Sequence, residues 1–173
     1  FRPSAGADNI TDGAARIERI KGNSVVYNQL AKSFTENVST RSYYSYDEQT
    51  GLATMLTEDK ANNRAIPFFG RSYANLKTVI GHIYMVKING NFGDFSPQVS
   101  FGGSFPTITN GYAIVEAKSS AIAYLYPFGA NATIIPAGTT FYLYNWKVID
   151  LTKEFGAGNE PTTVEEYRQR KPM

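Results

Sequence analysis

Apolar and polar residues alternate along this chain with a period of two, in short bursts separated by Gly, Pro, Asn, Asp and Ser. That pattern predicts strands and turns. In residues 24–30, Val25, Tyr27 and Gln29 alternate with Val26 and Asn28, so apolar groups on both faces predict a strand covered on two sides. Asn28 and Gln29 would need hydrogen-bond partners if buried there, which suggests that they tie down a neighbouring loop. Residues 31–40 are polar and read as a loop. Residues 41–46, with Tyr44 and Tyr46 on one face, and residues 52–56 read as a hairpin around Asp47-Glu48-Gln49-Thr50-Gly51. Residues 65–69 are apolar, but Pro67 limits them to a sheet edge. The strongest alternation is in residues 78–89, where His82, Tyr84, Val86 and Ile88 oppose Ile83, Met85 and Lys87. Residues 89–95 read as a turn-rich loop and residues 98–101 as a short strand. Residues 111–118 and 121–128 read as a second hairpin around Ser119-Ser120. Ile134-Ile135-Pro136-Ala137-Gly138 reads as a tight turn before a long last strand, residues 139–149. A strict period of two puts Tyr142, Tyr144, Trp146 and Val148 on one face of it, and Phe141, Leu143, Asn145 and Lys147 on the other.

The pattern changes at residue 150. Asp150 is placed to cap a short turn through Leu151 to Phe155. Gly156 and Gly158 can adopt positive φ and reverse the chain. Pro161 and Thr162 read as a helix start, with Thr162 and Glu165 spaced as a capping box. Glu165 and Glu166 near the start, and Arg168, Arg170 and Lys171 near the end, suit the helix dipole. Val164 and Tyr167 share a face. Residues 150–171 are therefore expected to fold back on the sheet, burying Phe155, Val164 and Tyr167 over an edge or end. Residues 1–15 are small, polar and aperiodic, and read as an arm or linker. Residues 16–173 then form one domain of eight to ten short strands with a terminal helix. The expected fold class is all-β, an antiparallel β-sandwich of jelly-roll type.

Composition narrows the function classes. A chain of 173 residues with 42% hydrophobic and 18% charged positions buries roughly 70% of its unfolded surface, enough for a core without covalent staples. Twelve Tyr and eleven Phe favour strands. With 17 basic and 15 acidic residues there is no electrostatic footprint for nucleic acid. Cysteine is absent, which excludes a disulfide scaffold and a Cys-based zinc site. No apolar run reaches the ~18 residues of a membrane span.

Two stretches resemble a known family. Asp150-Leu151-Thr152, followed by Phe155-Gly156-Ala157-Gly158-Asn159-Glu160-Pro161 and Thr163-Val164-Glu165-Glu166, is similar to a segment near the C-terminus of many bacteriophage and prophage tail or fibre proteins. Lys21-Gly22-Asn23-Ser24-Val25-Val26-Tyr27-Asn28-Gln29-Leu30 resembles that family's upstream element, with Tyr27 where Trp is usual. Gly81-His82-Ile83-Tyr84 is a weaker third match. The resemblance implies a jelly-roll-like module of a phage particle, on a tail, fibre or capsid surface. It implies assembly with other virion proteins, most often as a homotrimer, and a place in the virion. It also implies that the motif residues Asn28, Gln29, Asp150, Phe155, Gly156, Gly158, Asn159 and Pro161 are structural, with no catalytic residue and no cofactor.

Candidate chemistry is sparse. His82, the only histidine, lies in no nucleophile-elbow pattern and reads as a half-buried structural residue. The acidic pairs Asp47-Glu48 and Glu58-Asp59 could serve glycoside hydrolysis, but both sit in turn sequences. Asn89, Asn91 and Asp94 lack the spacing of a calcium loop. The aromatics are the sharpest candidates, because sugar rings stack on flat aromatic faces. Tyr44, Tyr46, Tyr124, Tyr126, Tyr144 and Trp146 are the expected contacts to a bacterial surface glycan or a neighbouring subunit, with Tyr43 and Tyr142 beside them. Alternation sends about half of such residues to the core. Three readings stay open: a particle structural protein, a carbohydrate-binding module, and a glycan depolymerase.

Overall fold

The computed structural model describes residues 25–27, 30–70 and 74–170. The expectations for residues 1–15, for Asn28 and Gln29 and for Lys171 lie outside the described residues.

Eleven strands and four short α-helices follow in chain order among the described residues. They are β1 (Val25–Tyr27), α1 (Leu30–Thr35), α2 (Val38–Tyr43), β2 (Tyr44–Tyr46), β3 (Leu52–Met55), β4 (Asp59–Lys60), β5 (Ile66–Pro67), β6 (Ile83–Asn91), β7 (Gln98–Ser100), β8 (Tyr112–Glu116), β9 (Tyr124–Tyr126), β10 (Ile134–Ile135), β11 (Thr140–Asp150), α3 (Leu151–Phe155) and α4 (Val164–Arg170). The main sheet runs β2-β3-β11-β6-β8, and β1 pairs with β11 off that path. A three-stranded sheet runs β5-β9-β7, and β10 pairs with β4. All of these strand pairs are antiparallel. The protein is thus mostly β, with antiparallel sheets and a few short helices.

The strand β11 organises the main sheet. Its first half pairs with β3, its second half with β1, and nearly its whole length with β6 on the other side. One core lies between this sheet and the three-stranded one. Trp146, Tyr84 and Phe141 enter it from the main sheet, and Leu125, Val99 and Ile66 from the other. Phe68 meets Trp146 at 4.6 Å between ring centroids, edge to face, and Tyr84 meets Phe101 at 5.1 Å. Burial of large rings in such pairs adds to the cohesion here. A second, smaller core of Met85, Ile149, Leu151 and Tyr167 lies on the outer face of the main sheet.

Several elements differ from the sequence reading. Residues 31–40 are largely helical. Leu30, Ser33 and Phe34 sit at helical spacing and are buried, and Asn37 caps α2 by accepting the Thr40 N–H at 2.9 Å. The polar residues between them masked that face. The β2–β3 hairpin forms, but β2 begins only at Tyr44, because α2 extends through Tyr43. The 111–128 hairpin does not form: β8 pairs with β6 and β9 pairs with β5 and β7, in different sheets. Contacts of each strand with its sheet outweigh the local turn. Pro67 does lie on an edge strand.

The terminal segment packs as expected in outline, with three corrections. It covers the outer face of the main sheet rather than an edge. The helix α4 starts at Val164, and Thr163 caps it by accepting the Glu166 N–H at 3.0 Å, one residue later than the expected Thr162–Glu165 pair. The Glu166 carboxylate turns back to accept the Thr162 N–H at 2.8 Å. Phe155 and Val164 are half-buried, and Pro161 and Tyr167 are buried. The Phe155 and Tyr167 rings meet edge to face at 5.9 Å.

Candidate functional site

The strict alternation of β11 fails at one residue. Leu143 opposes Gly90 and Asn145 opposes Asn89, so Tyr144 is an extra residue on β11. Such a bulge shifts the parity of every later side chain. Phe141 and Leu143 before it, and Trp146 and Val148 after it, all face the same core. Gly90 makes the close approach possible, since a Cβ there would lie 2.4 Å from the Tyr142 carbonyl oxygen. The bulge therefore frees Tyr142 and Tyr144 from the company of Trp146. They are 38% and 48% exposed, with rings stacked at 6.0 Å and 29°.

The Tyr144 ring is held from below by the β2–β3 turn. Gly51 adopts φ +77°, and a Cβ there would lie 2.7 Å from the ring. Asp47 shapes that turn by accepting the Gln49 N–H and the Thr50 hydroxyl, each at 2.9 Å. These bonds hold the Asp47 carboxyl below its ordinary range, the Gln49 N–H contributing most. Beside Tyr144 is a cleft of about 210 Å³, lined by Leu30, Ala31, Tyr46, Glu48 and Tyr144. The Tyr46 ring stacks on Phe34 at 4.2 Å, and its hydroxyl donates to the Leu143 carbonyl at 2.7 Å. Burial, then the Glu48 and Asp47 charges, push the Tyr46 phenol up to about 12, so it stays a neutral donor. The result is two rigid aromatic faces beside an exposed carboxylate, which is chemistry suited to a polyhydroxylated ring.

The other expected contacts fall elsewhere. At Tyr44 and Trp146 the surface reading is corrected. Tyr44 is buried, and its hydroxyl donates to the Arg64 carbonyl at 2.6 Å. Trp146 is 1% exposed, because the bulge turns it inward. Tyr124 and Tyr126 are half-buried on the three-stranded sheet, with Leu125 buried between them. Tyr43 is half-buried, with the Arg64 guanidinium 3.8 Å from its ring centre. Of the six, Tyr46 and Tyr144 meet at this cleft, while Tyr124 and Tyr126 share a face of β9. Glu48, Ala31 and Gly51 complete the site, and none carries a sequence signal beyond belonging to a turn or helix.

The motif segments meet at the far end of β11. Its residues Lys147–Ile149 pair with β1 on one side and with β6 on the other. There His82 Nδ1 lies 2.8 Å from Asp150 Oδ2, while Asp150 Oδ1 accepts the Lys153 N–H at 2.9 Å and so caps α3. The Thr152 hydroxyl accepts the Ile83 N–H at 2.8 Å and donates to Glu160 at 2.7 Å. That donation is the main cause holding the Glu160 carboxyl below its ordinary range. Burial pushes the Tyr84 phenol up to about 12, opposed by the Val79 N–H and reinforced by the Asp150 charge. Gly156 ends α3 at φ +93° and donates its N–H to the Thr152 carbonyl at 2.8 Å; Gly158, at φ +83°, completes the reversal. The Asn159 N–H donates to the Gly156 carbonyl at 3.0 Å.

In the second acidic pair, Asp59 is taken up by structure. Asp59 pairs with buried Arg64 at 2.8 Å and accepts from Asn63 at 3.0 Å. Among the described residues no group of three or more His, Cys, Asp or Glu side chains could hold a metal ion, and no helix is long and apolar enough to cross a membrane. Comparison with known proteins finds no matching family model, no matching curated protein and no matching solved structure.

Proposed function

We propose that this chain is a structural module of a bacteriophage particle, on a tail, fibre or capsid surface, that acts by assembly and host-surface attachment rather than by catalysis. The observation that carries this reading is the convergence of the three motif segments. Val25–Tyr27, the strand starting after His82, and Asp150 to Pro161 are far apart in sequence, yet all meet at the end of β11. Such a meeting is what the resemblance to phage tail and fibre proteins leads one to expect of structural motifs. The finer fold reading, a jelly-roll sandwich, belongs to the same proposal, as do a homotrimeric assembly and a place in the virion.

Mass spectrometry of purified particles tests the reading directly: the chain is expected among the virion proteins, and light scattering on the pure chain should give a trimer. A monomer that is absent from particles would refute it.

A second reading, a carbohydrate-binding module without a structural role, is favoured by the supported Tyr142–Tyr144 face and its cleft. A glycan array separates the two readings: binding by a chain absent from particles selects the second. A glycan depolymerase gains nothing from Asp47 and Asp59, which hold a turn and an ion pair.

A further inference from the structure

The turn at residues 47–51 sets a carboxylate beside the exposed tyrosines. Its backbone is pinned twice: Gly51 donates its N–H to the Asp47 carbonyl at 2.8 Å, and the Gly51 carbonyl accepts the Leu143 N–H at 2.9 Å. The Asp47 carboxylate is taken up inside the turn by the Gln49 N–H and the Thr50 hydroxyl. Glu48, the next residue, is exposed and lines the cleft with Tyr46 and Tyr144. Among the described residues Glu48 makes no hydrogen bond and no ion pair. No lysine or arginine lines the cleft among the described residues. Lys32, one position along α1 from Ala31, lies 2.6 Å from Glu36. Burial first, then the charges of Glu48 and Asp47, raises the Tyr46 phenol, so both negative charges are felt at the wall of the cleft. The Tyr142 and Tyr144 rings, 6.0 Å and 29° apart, form one continuous face, wider than a point charge needs. At about 210 Å³ the cleft is smaller than the roughly 300–1,000 Å³ of sites that enclose drug-sized ligands. It therefore holds a single ring and leaves the rest of a chain outside.

We infer that this cleft binds a sugar ring carrying a free amino group, a hexosamine unit of a surface glycan that is not N-acetylated. The ring lies with its C–H surface on the tyrosine face. Its ammonium sits between Glu48 and Tyr144, where the carboxylate and the negative face of the aromatic ring both favour a cation. A neutral sugar leaves that carboxylate to water, and an anionic sugar is repelled by it. The net charge of the chain is +2, so attraction of a cation here is local rather than general. The inference rests on the reading of this face as a glycan-attachment site and names the sugar it takes.

Isothermal titration of the full chain at low ionic strength, in mildly acidic buffer that keeps sugar amines charged, tests it. The probes are a glucosamine oligomer, its N-acetylated counterpart, a glucose oligomer of the same length, and trilysine. The glucosamine oligomer is expected to bind saturably and more tightly than either uncharged oligomer. Glu48→Gln, which keeps the turn because Asp47 and Gly51 make its bonds, should weaken that binding about threefold or more, as loss of an exposed charge pair does. It should leave the uncharged oligomers unaffected, whereas Tyr144→Ala should weaken every sugar. Glu165→Gln, on α4 over the other half of the sheet, should change nothing. Equal or tighter binding of the uncharged oligomers would overturn the amino-sugar inference and leave the glycan-attachment reading standing. No binding of any sugar would overturn both. Trilysine binding as tightly as the glucosamine oligomer, or an equal loss in Glu165→Gln, would also overturn the inference, since the site would then answer to charge alone.

Discussion

The two halves of β11 carry similar residues and live in different surroundings. Beyond the bulge, residues 146–150 are covered on both faces: Trp146 and Val148 point into the main core, and Ile149 lies under Leu151 and Tyr167. Before it, Phe141 and Leu143 point inward, while Tyr142 and Tyr144 face outward at 38% and 48% exposure. The helical terminal segment covers one half of the outer face and leaves the other open. An aromatic residue is therefore buried beyond the bulge, while before it Phe141 is buried and Tyr142 and Tyr144 stay exposed. The difference comes from what lies above the strand and from a one-residue shift within it.

Removing the cover should have the largest effect. A chain cut after Ile149 loses Leu151 and Tyr167 and exposes Met85 and Ile149. Two large core deletions at about 2–5 kcal/mol each put the loss at roughly 5 kcal/mol or more. Chemical denaturation and solubility measurements check this, and an unchanged midpoint with full solubility would show the segment to be a tail.

The comparison is sharpened by one substitution on each side of the bulge. Trp146→Ala should cost about 3–5 kcal/mol. Tyr144→Ala should cost about 1 kcal/mol or less, yet reduce any glycan or subunit binding. If the two variants melt alike, the parity shift at Tyr144 is wrong.

Gly51→Ala attacks the support under the exposed ring. Positive φ costs a non-glycine residue about 1–2 kcal/mol, and the added methyl must displace Tyr144. In a Tyr144→Ala background the steric part disappears, so a double-mutant cycle should show coupling of about 0.5 kcal/mol or more. Strict additivity would mean that the ring does not rest on the turn.

The smallest effect is the acid response of the covered half. Glu160 has a folded pKa below its ordinary 4.5, mainly through the Thr152 hydroxyl. Its contribution is therefore complete above that ordinary value and is lost as pH falls through the folded value. The melting temperature of the wild type should fall more steeply over this acid range than that of Glu160→Gln. Parallel curves would remove Glu160 from the lock.

Much of the strand pattern was legible because alternation is local. Tyr84, Val86 and Ile88 face the core as their spacing predicts, and Asp150 caps α3 as its position suggests. The helices at Leu30–Thr35 and Val38–Tyr43 were missed because only Leu30, Ser33 and Phe34 of the first mark its buried face, too few for a periodic signal. Lys87 and Lys147 could each be assigned a face, but nothing in the order of residues brings them opposite one another on β6 and β11 or lays Arg168 over Tyr112.

The chain by itself determined its antiparallel β character, the turn at residues 47–51 and the stop and reversal at residues 150–161, since each follows from neighbours a few positions apart. Tertiary structure alone decided which aromatics are buried, because one extra residue opposite Gly90 inverts the faces of the strand that follows. It also decided which acids hold turns and which lysines stand opposite each other. Those outcomes depend on register between strands tens of residues apart, and register is set by how whole faces pack rather than by any local sequence.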